Sequence, residues 1–69
     1  MVELHTSRFG VRQIWEFTTI QEAAKEADLK IEENTSCPVK IIADGKEIWR
    51  NEGPFSGSYD SLREMANYT

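Results

Sequence analysis

Hydrophobic and polar positions alternate along residues 11–17, VRQIWEF, a run rich in β-branched and aromatic side chains, which predicts a strand. One face takes Val11, Gln13, Trp15 and Phe17, and the other takes Arg12, Ile14 and Glu16. Residues 2–6, VELHT, alternate as well and supply the partner of a hairpin. The link is Ser7-Arg8-Phe9-Gly10, with Gly10 free to take positive φ. On this reading His5 sits on a solvated edge strand.

The period then changes. Ile20, Ala23, Ala24, Ala27 and Ile31 fall within about 100° of one another on a helical wheel, the width of a core stripe. Thr19 with Glu22 fits a capping box, and so does Thr18 with Gln21. Glu22–Lys25 and Glu26–Lys30 are spaced as favourable side-chain pairs. The helix is expected to stop near Glu33, with Asn34 as the C-terminal signal. An end near Asp28, leaving Leu29-Lys30-Ile31 extended, is the alternative.

Pro38 opens a second hairpin. Residues 39–43 form one strand, Asp44-Gly45 the two-residue turn, and residues 46–50 the return. A regular register faces Ile41 with Ile48 and Val39 with Arg50 on the core side. It faces Ile42 with Glu47 and Lys40 with Trp49 on the other. Beyond Arg50 the apolar pattern resumes at Phe55, Tyr59, Leu62, Met65 and Ala66, spaced as on one side of a short helix. Ser58 is the expected N-cap, and Ser61 with Glu64 a second choice. The predicted fold is α+β in ββαββα order. An antiparallel sheet carries a main amphipathic helix on one face, with a short C-terminal helix, in a single domain over residues 1–69.

Size and charge narrow the partners. A chain of 7.9 kDa should expose roughly 4,400 Å² when folded, so one standard contact of about 800 Å² covers about a fifth of it. A partner, or a second copy in a homo-oligomer, is therefore a large part of its surface chemistry. The net charge is −4, and residues 16–33 alone hold six acids against two lysines. That field disfavours polyanions. One cysteine, Cys37, allows no internal disulfide, which suits a reducing, cytoplasmic compartment. No apolar run is long enough to span a bilayer, and MVELHTSRFG lacks the apolar stretch of a signal peptide.

Chemistry-bearing motifs are sparse. The stretch GPFSGSYDS, from Gly53 to Ser61, suggests a phosphate cradle. A P-loop needs G-x-x-x-x-G-K-[ST], however, and here no cation follows before Arg63. It reads as a connector into the last helix, with a small-ligand site there as a third-ranked function. One His and one Cys give no metal-ligand spacing. Cys37 lacks a nearby base and is expected to be a small buried hydrophobe. No catalytic residue, cofactor or metal is assigned.

Two surfaces remain. Leu29 falls opposite the core stripe, among Glu22, Glu26 and Glu33, an apolar anchor with a charged rim suited to docking another protein. The second is a nucleic-acid face using Arg12, Lys40, Trp49 and Arg50, where cations and an aromatic would form a stacking platform. The run WEFTTIQEAA (15–24) resembles the strand-to-helix passage of the small hairpin-plus-helix DNA-binding modules of phage integrases. That resemblance covers about ten residues and implies DNA binding, but those modules are basic and this chain is acidic. The competing expectation is that Phe55, Tyr59, Leu62 and Met65 cover Trp49. The leading expectation is a non-enzymatic protein-binding module, an adaptor, regulator or inhibitor, similar in size and acidity to many bacterial and phage-encoded small proteins.

Overall fold

Two positive-φ pairs set the strands. Phe9 and Gly10 have φ of 53° and 78°, and Asp44 and Gly45 have φ of 51° and 79°. Positive φ at both central residues is the mark of the two-residue turn whose twist matches a hairpin. The computed structural model describes residues 1–67, and only Tyr68 and Thr69 lie outside them. Within it β1 (Val2–Arg8) and β2 (Val11–Phe17) form the first hairpin, and β3 (Cys37–Ala43) and β4 (Lys46–Arg50) the second. Helix α1 (Ile20–Glu33) joins them, and α2 (Ser58–Asn67) ends the chain. The ββαββα order is as the sequence predicts.

The sheet is antiparallel, in the order β2-β1-β3-β4. The chain passes along α1 and lays β3 against the free side of β1. Strand β1 is thereby central, and His5 is not on an edge as expected. Its ring is half-buried, with Nε2 3.0 Å from Glu3 Oε1. Across the middle of the sheet Trp15, Leu4, Ile41 and Trp49 lie side by side.

Both helices cover this face. Thr19 caps α1: its Oγ1 accepts from Glu22 N at 3.2 Å and donates to Glu22 Oε1 at 3.0 Å. The helix continues past Asp28 and stops at Asn34, which is left-handed at φ 56°. Asn34 N donates to Ile31 O and Thr35 N to Lys30 O, the paired bonds of a Schellman motif. Ala23, Ala24 and Ala27 are wholly buried, so the α1 backbone lies close to the sheet. Leu4, Ile41 and Leu62 are also fully buried, each contributing about 1.5–3 kcal/mol of hydrophobic stabilisation. Trp49, Leu62 and Ala66 belong to the same core as Val2 and Leu4, so α1 and α2 share one side of the sheet.

One residue changes the second hairpin. Ile42 pairs with Glu47 as expected, but Ile41 pairs with Trp49 and Lys40 with Arg50. Ile48 is the extra residue of a β-bulge and is not the partner of Ile41. Trp49 therefore turns to the core face, 6% exposed, and the expected Lys40–Trp49 pair does not form. Its indole N–H donates to Ser58 O at 2.8 Å. Ser58 is the first residue of α2 and not its cap; Ser61 N bonds Gly57 O, which places the N-cap at Gly57.

Candidate protein-binding face and the open sheet

Helix α1 has three kinds of neighbour, and they divide its surface. Its alanines meet the sheet. On one flank Lys30 reaches back over β2, its Nζ 4.3 Å from the centre of the Trp15 ring and 3.5 Å from Glu26 Oε1. On the other flank α2 docks: Gln21 Nε2 donates to Ala66 O at 3.3 Å, and Arg63 Nε lies 3.5 Å from Asp28 Oδ1. The remaining outer face carries Glu22, Glu26, Leu29 and Glu33. Leu29 is 46% exposed at its centre. Glu22 and Glu33 are exposed, while Glu26 is half-buried by its pair with Lys30. Lys25 and Glu32, both exposed, complete this face. They were not among the residues singled out from the sequence, although their spacing of four and three from Leu29 marks them.

The expected nucleic-acid face comes together only in part. Arg12, Lys40 and Arg50 lie on the side of the sheet away from the helices, as their pairings with Ser7, His5 and Lys40 require. Trp49 is on the opposite side, in the core, so it offers no stacking surface there. Leu62 and Ala66 share its core cluster and Met65 packs against that cluster, while Tyr59 lines the cleft beside Cys37 and Phe55 projects fully into solvent. The cations also alternate with acids. Arg50 makes a two-pronged contact with Glu47, down to 2.8 Å from Nη2 to Oε1. The hydrogen bond from Arg50 holds the Glu47 carboxyl below its ordinary range, and Glu47 raises Arg50 in turn.

The connector from Gly53 to Ser61 directs its polar groups at itself. Gly53 O accepts from Ser56 Oγ at 2.9 Å and from Ser58 Oγ at 3.2 Å, and Gly53 N donates to Asn51 Oδ1 at 2.9 Å. Asn51 Nδ2 donates to Pro38 O at 2.8 Å, tying the connector to β3. These bonds build the seat of Trp49 and engage the N–H groups of Glu52, Gly53, Ser56, Ser58 and Ser61 within the segment.

Cys37 departs from expectation, since it is exposed. It lines an open cleft of about 300 Å³ between the β1–β2 turn and the α1–β3 loop. Tyr59 and Arg8 also line it, but no His, Asp or Glu does, so no base stands ready to activate the thiol. Among the described residues no group of three or more His, Cys, Asp or Glu is placed to hold a metal ion. Among them, too, no helix is long and apolar enough to cross a membrane. Comparison with protein-family models, with curated proteins and with solved structures gives no match.

Proposed function

We propose that the protein is a non-enzymatic, cytoplasmic protein-binding module whose outer α1 face docks on a basic surface of another protein. The observation that carries this reading is Leu29, 46% exposed at the centre of a face that neither the sheet nor α2 covers. An apolar anchor within a charged rim is the arrangement of a binding hot spot. The surrounding carboxylates of Glu22, Glu26, Glu32 and Glu33 give the partner's sign, since opposite potentials speed encounter and suppress wrong partners. The absence of a base beside Cys37 in its cleft supports a role without catalysis, and a single cysteine suits a reducing compartment.

The test is a pull-down from nuclease-treated cell extract, with wild type and Leu29→Lys as parallel baits. The expected result is a protein retained by wild type and lost by the variant, both baits having the same far-UV circular dichroism. Equal retention by both baits, or retention by neither, overturns the reading.

A further inference from the structure

Among the described residues no element covers the side of the sheet turned away from the helices, and its charges fall into rows. Cross-strand pairing sets Glu16, Glu3, Ile42 and Glu47 in one row from β2 to β4. Two residues along β1, β2 and β3, and three along the bulged β4, the next row is Ile14, His5, Lys40 and Arg50. The first row is acidic and the second basic, about 7 Å apart at the rise of a strand. Ile14 is 57% exposed, and Ile42 is half-buried.

Such a face complements itself. If a two-fold axis lies in the plane of the face, between the two rows and parallel to them, each row falls on the other row of the second copy. Glu3 then opposes His5 of the copy, Glu47 opposes Arg50, and Ile42 meets the Lys40 stem. Strand order is preserved across the interface, as an isologous contact requires. Two sheets stacked this way sit about 10 Å apart with their strands inclined by about 30°. The geometry points to a second copy of this chain as the occupant of the open sheet face, making a symmetric dimer held by exchanged charge pairs.

A polyanion fits the face less well. The acidic row interrupts the cations, and no aromatic lies in either row. The molecule exposes 4660 Å², of which a standard contact of about 800 Å² is roughly a sixth. Four strands about 4.8 Å apart give a footprint roughly 19 Å wide, at the small end of stable interfaces. The dimer should therefore be of micromolar strength or weaker, and salt should loosen it.

Sedimentation equilibrium from about 10 μM to 1 mM at low salt tests the proposal. Wild type should rise from 7.9 kDa towards twice that mass. Glu3→Lys with Glu47→Lys makes the face basic, and Lys40→Glu with Arg50→Glu makes it acidic. Each double variant alone should remain monomeric, and an equimolar mixture should recover the doubled mass. Should either double variant lose its circular dichroism, Ile14→Glu, which sets like charge against Glu16 of the copy, should weaken the dimer at least tenfold. Leu29→Lys lies on the other side of the molecule and should leave dimerisation unchanged, which keeps this test separate from that of the α1 face. Wild type that stays at 7.9 kDa overturns the proposal, as do charge variants that associate like wild type or a mixture that does not. A monomer that instead binds an oligonucleotide or another protein through Arg12 and Lys40 gives the face to that occupant and likewise overturns it.

Discussion

The two hairpins occupy the two halves of one sheet, and each holds a tryptophan on its outer strand. Trp15 on β2 and Trp49 on β4 end the same cross-sheet row, with Leu4 and Ile41 between them. Both present their rings to the helical side, and both indole N–H groups are satisfied. Trp49 donates to a backbone carbonyl, and Trp15 to the buried Thr6 hydroxyl at 3.0 Å. What differs is the cover. Helix α2 and the connector close over Trp49, which is 6% exposed, whereas one lysine side chain bridges Trp15, which is 38% exposed. Strand β2 has no buried residue, while β4 anchors the end of the chain. Equivalent positions in a sheet thus acquire different worth from what lies above them, even when the side chain and its hydrogen bond are alike.

Truncating each ring should separate the halves most widely. Trp49→Ala empties a core site and removes the indole bond to Ser58 O, and large aromatic truncations of this kind cost about 3–5 kcal/mol. In a domain this small that approaches the whole stability, so urea denaturation should show an unfolded or barely folded chain. Trp15→Ala removes a ring that is already partly wet, and the expected loss is about 2 kcal/mol with folding retained. Equal losses from the two truncations would break the comparison. Lys30→Met, which keeps the stem but removes the ammonium from the Trp15 ring, should cost about 0.5–1 kcal/mol in the same experiment.

The turns sharpen the contrast in the opposite direction. Asp44-Gly45 suits two positive φ values, but Phe9 at φ 53° is a bulky side chain in a region that favours Asn or Asp. Phe9 is 92% exposed, with the Arg8 guanidinium 5.4 Å from its ring. Phe9→Asn should stabilise the protein by about 1 kcal/mol, read as a raised thermal midpoint. A lowered midpoint would mean that the aromatic contributes more than the backbone strain costs.

The smallest expected effect concerns pH. The Glu47 carboxyl is held low by its hydrogen bond from Arg50. Between the folded and unfolded pKa values the unfolded chain binds more protons, so this contribution is complete above about pH 4.3. It fades as the pH falls through the folded value. Glu47→Gln should therefore narrow the stability difference between pH 6 and pH 3 only slightly, because the pair is exposed.

The elements themselves could be read from the chain because each has a local cause. The helix shows in its alanine stripe and capping box, and the second hairpin in Asp44-Gly45. Leu29 could be placed opposite the core from helical spacing alone. The side of Trp49 could not. Residues 46–50, KEIWR, set Ile48 and Trp49 side by side, so a regular strand puts them on opposite faces, and nothing in the run itself marks Ile48 as the unpaired residue. That one residue divides the expected cation-and-aromatic face, leaving Arg12, Lys40 and Arg50 on one side of the sheet and Trp49 on the other. The central place of β1 was hidden for a different reason: it depends on where β3 returns, a contact between residues about thirty-five apart in the chain.

That return also has a kinetic consequence. Each hairpin is local, and such units close within about 1–10 μs. The β1–β3 seam alone joins them within the sheet, and the chain between its two sides includes all of β2 and α1. The slow event in forming this molecule is thus the search that brings Leu4 beside Ile41. The β2 edge adds little to that search, and substitutions there should act chiefly on how fast the native state comes apart.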